Sequence, residues 1–187
     1  QSALKWLDTN DSKMDLVLGP SESSDDNLHG IKRSYGAYII LKNLSRTEQL
    51  HKFSAQMPEF QKSLPCKDEY KTFVPSTESV IYAGDALYYA GAANCGIKDI
   101  AISLPFDVKV QAEKGTRSIL MQNVITSKFN GILVPTADLV ISDKDREHVN
   151  DRAFFWNVAF REVAHGLGVK TTLDGRSVNE ALDNLAS

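Results

Sequence analysis

Apolar and polar residues alternate in the first regular stretch of the chain. The run Met14–Leu18 has the period of two that is typical of a β-strand, and Gly19-Pro20 stops it. The polar and acidic residues 21–27 then predict a loop. The aromatic and β-branched run Tyr35–Leu41 fits either a strand or the start of a buried helix.

The period becomes helical after this run. Ser45-x-x-Glu48 is a capping box, in which a hydroxyl and a carboxylate satisfy backbone donors, and it predicts a helix start. Apolar residues three and four positions apart follow on one helical face, which we interpret as core: Leu50, Phe53, Met57, Phe60 and Leu64. Pro58 lies inside this pattern and predicts a kink or a break in the helix.

A second β-rich stretch follows. Residues 80–91 are apolar and aromatic, and their glycines predict turns or a close approach of two backbones. Ile100, Ile102 and Leu104 alternate with smaller residues, which predicts a strand. From about Lys114 to Phe129 the apolar spacing predicts a helix, with Asn130-Gly131 as its C-terminal signal.

The last part of the chain predicts two helices. Asn150 or Asp151 can cap a helix that runs to about Leu167. Ser177-x-x-Glu180 is a second capping box, so a further helix should begin at Val178. Only ten residues of that helix are present, which is marginal for a helix on its own. We therefore expect either that the chain is a fragment of a longer protein or that its order ends within this helix.

Composition narrows the classes of partner. The 187 residues are 42% hydrophobic and 24% charged, as in an ordinary globular protein of one or two domains. The net charge of −3 gives no reason to expect nucleic acid, and no apolar run is long enough to predict a membrane span. Two cysteines, Cys66 and Cys95, favour a reducing compartment, so we expect the cytoplasm.

Candidate chemistry is concentrated in Arg161-Glu162-Val163-Ala164-His165. In a His-Glu-x-x-His helix, two imidazoles one turn apart bind zinc, and the glutamate acts as a base on the metal-bound water. Here arginine occupies the first histidine position, and a guanidinium has no lone pair for a metal. By themselves, Glu162 and His165 fit an ordinary surface carboxylate and an ordinary histidine as well.

Longer stretches around this pentapeptide resemble the dipeptidyl peptidase III family of zinc metallopeptidases, in particular its bacterial and Nudix-linked branch. The stretches lie in the order found in the family: Asp15–Ser23, Lys114–Arg117, Lys128–Pro135, Phe154–Phe160 and Glu162–Gly168. The resemblance runs from about residue 14 to residue 187. The chain is therefore identified as a relative of this family.

The resemblance implies an α+β, two-lobed fold with a peptide-binding cleft. The β-rich lobe would comprise residues 1–42 and 79–112, and the mainly helical lobe would comprise residues 43–78 and 113–187. The family removes dipeptides from the amino ends of short peptides.

The resemblance also implies roles for individual residues. Glu22 would hold the free amine of the peptide, while Ser103 and Phe106 stand where the family has asparagines that hold the peptide. Glu162 would be the catalytic base and His165 a zinc ligand, with a further glutamate ligand expected beyond Ser187.

The departures from the family lie at these same positions, because Arg161, Ser103 and Phe106 each replace a functional residue. We expect a catalytically inactive chain without zinc, and an alternative is a non-catalytic peptide- or protein-binding module on the same scaffold. Arg161 itself has three explanations: a pseudopeptidase that lost its metal, an engineered substitution, or a piece of a divergent active enzyme. The changes at Ser103 and Phe106 favour the first.

Overall fold

In a computed structural model the chain folds as one mixed β-sheet with helices packed against it, so the predicted α+β class is confirmed. The structure describes residues 2–9, 12–26, 30–71, 80–105, 110, 114–165, 167–169, 172–176, 178 and 181. Only the backbone is described for residues 2, 20–26, 30–34 and 165.

The chain contains five strands and six α-helices in its described part. The strands are β1 (Met14–Asp26), β2 (Gly30–Lys42), β3 (Val80–Gly91), β4 (Ala101–Leu104) and β5 (Arg117–Met121). The α-helices are α1 (Ser2–Asp8), α2 (Leu44–Ser54), α3 (Met57–Lys62), α4 (Gln122–Lys128), α5 (Val134–Val140) and α6 (Asp151–His165). Short 3₁₀ turns lie at Asp68–Tyr70, Ala92–Asn94 and Arg146–His148, and a π-helical turn, Phe129–Leu133, joins α4 to α5.

The strands lie in the order β1-β2-β3-β5-β4. All neighbouring pairs are antiparallel except β3 and β5, which are parallel. Two glycines of β3 allow this packing. A Cβ on Gly84 would lie 2.7 Å from the backbone oxygen of Leu41, and Gly91 has a φ of +60° with the Tyr35 carbonyl close by, so the predicted close approach of backbones is confirmed here.

The two faces of the sheet are covered differently. One face carries a core that extends over all five strands, with Tyr38, Tyr82 and Ile119 at its centre. The opposite face is covered over β3, β5 and β4 by α2, α3, α4 and α6, where Leu120 and Phe155 belong to the second core. The helices that bear the candidate chemistry therefore pack on this second face.

The same second face is uncovered over β1 and β2. The strand register places Leu16 beside Ile39 and Ile39 beside Tyr88, so these side chains share one face. Leu16 is 58% exposed and Leu18 is 75% exposed, whereas Val17 on the opposite face is only 5% exposed. No described residue covers this apolar area, which we call the bare half-face.

At three places near the start of the chain, the structure differs from the sequence-based prediction or resolves it. The predicted loop at residues 21–27 is a continuation of β1 as far as Asp26, while Asn27 lies outside the described residues. The ambiguous run Tyr35–Leu41 is a strand, because it pairs with β1 on one side and β3 on the other. The helix α1 was not predicted.

The first long helix begins two residues earlier than the capping box predicted. The N-cap is Asn43, whose side-chain oxygen accepts a hydrogen bond from the Arg46 N–H at 3.0 Å. The predicted effect of Pro58 is confirmed, because the helical pattern divides into α2 and α3 with Pro58 in the first turn of α3.

The helix predicted from Lys114 to Asn130 is wrong at both ends. Residues Arg117–Met121 form β5, a strand buried on both faces, and the helix begins only at Gln122. At its other end, Asn130-Gly131 lies within the π-helical turn, so the helical path continues into α5. The division of the chain into two lobes at residues 42, 78 and 112 stays a prediction.

Candidate functional site

The candidate site is carried by α6, whose start is fixed by its sequence. The Asn150 side chain accepts a hydrogen bond from the Ala153 N–H at 2.8 Å, as predicted for an N-cap, and Asp151 lies in the first turn. Phe155, Val158, Ala159 and Val163 are buried against the sheet. This face holds α6 over β4 and β5, and it sets the direction in which Glu162 points.

Glu162 is joined to the sheet by hydroxyl groups. The Ser103 hydroxyl in β4 donates a hydrogen bond to Glu162 Oε2 at 3.3 Å and lies 2.8 Å from the Ser118 hydroxyl in β5. Because the single proton of Ser103 is given to the carboxylate, Ser118 must be the donor to Ser103. The order Ser118 to Ser103 to Glu162 is a one-way relay of hydrogen bonds that orients a half-buried carboxylate.

Two predicted site residues, Ser103 and Glu162, are thus brought together although 59 positions separate them. Arg161 directly precedes Glu162 on α6, and its side chain is exposed. His165 lies one turn further along the same helix, but its side chain is outside the described residues. Arg161 and His165 keep the spacing of a ligand pair on one helix.

The strand that carries Ser103 is at the edge of the sheet. β4 pairs only with β5 in the described sheet, and the Met121 N–H donates to the Ile100 carbonyl at 2.9 Å. Bonded and non-bonded pairs alternate in an antiparallel ladder. Ala101 and Ser103 therefore direct their backbone N–H and C=O groups away from β5, toward the open edge.

The other predicted peptide-contacting residues are not placed as fully. Glu22 lies in β1, opposite Ser34 and beside an irregularity in the register, but its side chain is outside the described residues. Phe106 lies outside the described residues altogether, two positions after the end of β4. Their roles stay predictions.

A buried ionic cluster next to the relay was missed by the sequence reasoning. Arg117, the residue before Ser118, is fully buried and binds Asp15 Oδ2 at 2.9 Å. It also donates to the carbonyls of Trp6, Leu7 and Thr9, and its guanidinium lies 4.1 Å from the centre of the Trp6 ring. An arginine directly before the run Ser118–Met121, at the start of a buried strand, was the available signal, because a buried charge requires a partner.

Asp15 has two further donors in this cluster. Trp6 Nε1 donates to Oδ1 at 3.1 Å and the Tyr82 hydroxyl donates to Oδ2 at 2.6 Å. Burial first, and then the hydrogen bond to Asp15 and its charge, raise the pKa of the Tyr82 hydroxyl above its ordinary value. The cluster therefore holds α1 and β5 together and fixes the strand that begins the relay.

The end of α6 is held by a side chain from α3. Gln61 is 2% exposed, and its amide exchanges two hydrogen bonds with the backbone of Gly168. Gln61 Nε2 donates to the Gly168 carbonyl at 3.0 Å, and the Gly168 N–H donates to Gln61 Oε1 at 2.9 Å. This reciprocal pair, the Gln61 clamp, fixes the chain three residues beyond His165.

Two kinds of feature are absent from the described residues. No three histidine, cysteine, aspartate or glutamate side chains among them converge closely enough to hold a metal ion. No helix in the described part of the chain has the length and apolarity needed to cross a bilayer.

Comparisons with known proteins agree with the family resemblance. The chain is 31% identical over 176 residues to Nudix hydrolase 3 of Arabidopsis thaliana. The aligned region covers 94% of this chain and 22% of that protein. Its structure matches dipeptidyl peptidase III from Caldithrix abyssi with a TM-score of 0.86 and 30% identity, covering 98% of this chain and 36% of that one. No family model matches the chain.

A second solved structure gives the same result. Dipeptidyl peptidase III from Corallococcus sp. strain EGB matches with a TM-score of 0.85 and 32% identity, covering 97% of this chain and 34% of that one. The chain has a dipeptidyl peptidase III-like fold, which confirms that part of the resemblance, while the two lobes and the cleft between them stay predictions. It spans about a third of the length of these structures and about a fifth of the length of the plant relative.

Proposed function

We propose that this chain is a segment of a dipeptidyl peptidase III-like metallopeptidase scaffold that contacts peptide but does not hydrolyse it. The observation that carries the proposal is the hydrogen bond from Ser103 to Glu162, because it joins the helix of the degenerate zinc motif to the edge strand. In this segment the position of the base is kept, and the position of the first ligand is not.

The donor set on α6 does not fit a zinc ion. A catalytic zinc site uses three protein ligands and keeps one position open. The chain offers His165 as the one imidazole of the motif, while the exposed Arg161 contributes a permanent positive charge one turn away. A cation at this position would be repelled rather than bound, so no step of a reaction is assigned to a metal here.

Peptide contact is supported by the geometry of β4. An extended peptide can add to the outward N–H and C=O groups of Ala101 and Ser103 as a further strand. The Ser103 side chain meanwhile points to Glu162, so this carboxylate lies next to the edge where the peptide would run. A carboxylate in this position can accept hydrogen bonds from the amide groups or the free amine of the peptide.

The proposal is tested by zinc titration calorimetry combined with a peptidase assay on a dipeptidyl arylamide substrate. We expect the unmodified chain to bind no stoichiometric zinc and to release no dipeptide. Arg161→His restores a two-imidazole motif, so zinc affinity should rise. Two ligands remain too few for a tight site, and hydrolysis should stay absent.

The matched control is Arg152→His, which adds a histidine to the same helix without restoring the motif. Its zinc affinity should equal that of the unmodified chain. The same samples are titrated with a labelled tetrapeptide, whose binding should be retained by the unmodified chain and weakened by Ser103→Pro, which removes an outward N–H. Tight one-to-one zinc binding, or hydrolysis, by the unmodified chain would contradict the proposal.

A further inference from the structure

A small cavity lies at the opposite end of α6 from Glu162. It encloses about 120 Å³ between the starts of α2, α4 and α6. Arg152 is ten residues before Glu162, so the cavity is roughly 15 Å away along the helix. Ile125, Phe129 and Phe155 supply its apolar walls.

The polar groups that line this cavity are mainly hydrogen-bond donors. Arg46 from α2 and Arg152 from α6 reach it from two sides, and Gln122 and Thr126 reach it from α4. The Gln122 side-chain oxygen is already used, because it accepts a hydrogen bond from Asn43 Nδ2 at 3.1 Å. The amide nitrogen of Gln122 is the part of this side chain that remains to donate.

The two arginines are not neutralised by the protein. Neither guanidinium lies within 4.0 Å of a carboxylate in the part of the chain that the structure describes, although Asp151 also lines the cavity. Arg46 is half-buried, and its guanidinium lies 4.7 Å from the centre of the Phe155 ring. This contact with the ring holds the guanidinium in place while its N–H edges stay available.

A partly desolvated arginine such as Arg46 is unfavourable without an anion, and the more exposed Arg152 at the same cavity adds a second charge that favours an anionic ligand. With Asp151 included, the charged side chains at the cavity sum to one positive charge, so an anion with several acceptor oxygens complements both the charge and the donors of the lining. The cavity volume of about 120 Å³ accommodates one phosphate group, and the rest of any larger molecule would have to extend into solvent.

We propose that Arg46, Arg152, Gln122 and Thr126 form a binding site for a single phosphate group, separate from the zinc-type motif. The group can be a free phosphate ion or the phosphoryl end of a larger molecule that extends into solvent. The site joins α2 to the start of α6, so an occupied site would stabilise the helical layer on the sheet.

The test is a titration followed by NMR of the backbone amides, at constant ionic strength maintained with chloride. Inorganic phosphate and phosphoserine are the two probes, and acetate is the carboxylate control. We expect saturable shifts at Thr126 and Arg152 with phosphate, and much weaker shifts with acetate. Binding of both phosphate probes identifies the phosphoryl group as the ligand, and binding of inorganic phosphate alone identifies the free ion.

Variants show whether the arginines are responsible. Arg46→Gln and Arg152→Gln should each weaken phosphate binding by about tenfold or more, because each removes a charge-assisted hydrogen bond. Arg152 is exposed, so its variant should fold even if the Arg46 variant does not. Lys144→Gln removes one positive charge from an exposed position elsewhere and should leave the affinity unchanged. Shifts that fail to saturate, or that weaken equally in all three variants, would overturn the proposal.

Discussion

At the scale of single residues, Arg117 has the most partners. It is 0% exposed, yet it lies in a strand whose other residues pack in the cores. Its ion-pair partner is Asp15. Removing one partner of a buried ion pair lowers the unfolding free energy by about 3–5 kcal/mol, because the remaining charge is left uncompensated. Here the carbonyls of Trp6 and Leu7 and the ring of Trp6 share in that compensation, which binds α1 to the sheet.

The contribution of Tyr82 to the unfolding free energy should be visible in the dependence of stability on pH. Its pKa is raised in the folded state, so its contribution is fully present below about pH 10 and is lost as the pH rises from there toward the folded pKa. We expect the urea midpoint of the chain to fall above about pH 10. In Tyr82→Phe that fall should be shallower, although the variant should be less stable at neutral pH by about 1–3 kcal/mol.

Tyr35→Phe serves as the comparison for this measurement, because Tyr35 is an exposed tyrosine of the same sheet. Its alkaline unfolding curve should coincide with that of the unmodified chain. An equally steep fall in Tyr82→Phe would show that other groups cause the alkaline loss of stability.

At the scale of elements, side-chain amides repeatedly take the place of backbone partners. Asn123, in the first turn of α4, accepts from the Ala86 N–H at 3.0 Å and donates to the Ala86 carbonyl at 2.9 Å. It thereby continues the pairing of β3 after β5 has ended at Met121. The Gln61 clamp does the same for the segment after α6. Such amides allow a strand or a helix to end without leaving backbone groups unsatisfied.

The contribution of the Gln61 clamp to the unfolding free energy should be measurable by substitution. Gln61→Met keeps the length of the side chain and removes both hydrogen bonds to Gly168, so we expect a loss of about 1–3 kcal/mol in unfolding free energy. The Gly168 amide should also exchange with deuterium faster than in the unmodified chain. Gln56→Met is the matched variant, because Gln56 is exposed and its side chain caps nothing. Equal effects of the two substitutions would contradict this account of Gln61.

Element type was predictable where one face of the element meets solvent. The alternation in β1 and the split at Pro58 follow from local rules. The strand β5 was not predictable in this way, because it is buried on both faces and its apolar run continues directly into α4. Ile119, Leu120 and Val124 consequently match a helical spacing across a boundary between a strand and a helix.

The candidate site was predictable in its residues but not in its geometry. Glu162, Ser103 and Arg161 follow from motifs and from the family resemblance. The relay through Ser118 depends on β4 and β5 being paired in one register, since Ser103 lies directly opposite Ser118. Such a pairing is a property of the folded sheet and leaves no local pattern in the sequence.

At the scale of the whole molecule, the described side chains on one face of the sheet form a core over all five strands, whereas the other face is covered only over β3, β5 and β4. The bare half-face includes Leu16, Leu18 and Tyr88, which are all more than half exposed. Apolar areas of this kind on a soluble domain are sites of interaction or of aggregation. The alternating pattern of β1 predicts two faces, but it cannot distinguish a face covered by the chain from one that is not.

Neighbouring residues of β1 provide the test of this difference. Leu18→Lys should raise the solubility limit of the chain in ammonium sulfate and change the unfolding free energy by no more than about 0.5 kcal/mol. Val17→Ala, on the covered face, should cost roughly 2 kcal/mol and leave solubility unchanged while the chain is folded. A large loss of stability in Leu18→Lys would show that its side chain is covered in solution.

The hydrogen bonds between Arg117 and α1 also have a consequence for folding during synthesis on the ribosome. The contacts join Arg117 to carbonyls that precede it by 108 to 111 residues. At translation rates of about 5–20 residues per second, α1 leaves the ribosome on the order of ten seconds before its receptor exists. During that interval the Trp6 side chain has no pocket, and chaperones that bind short apolar segments have time to reach it. The first helix of this chain is therefore made early, yet its contacts with β5 can form only after Arg117 has been synthesised.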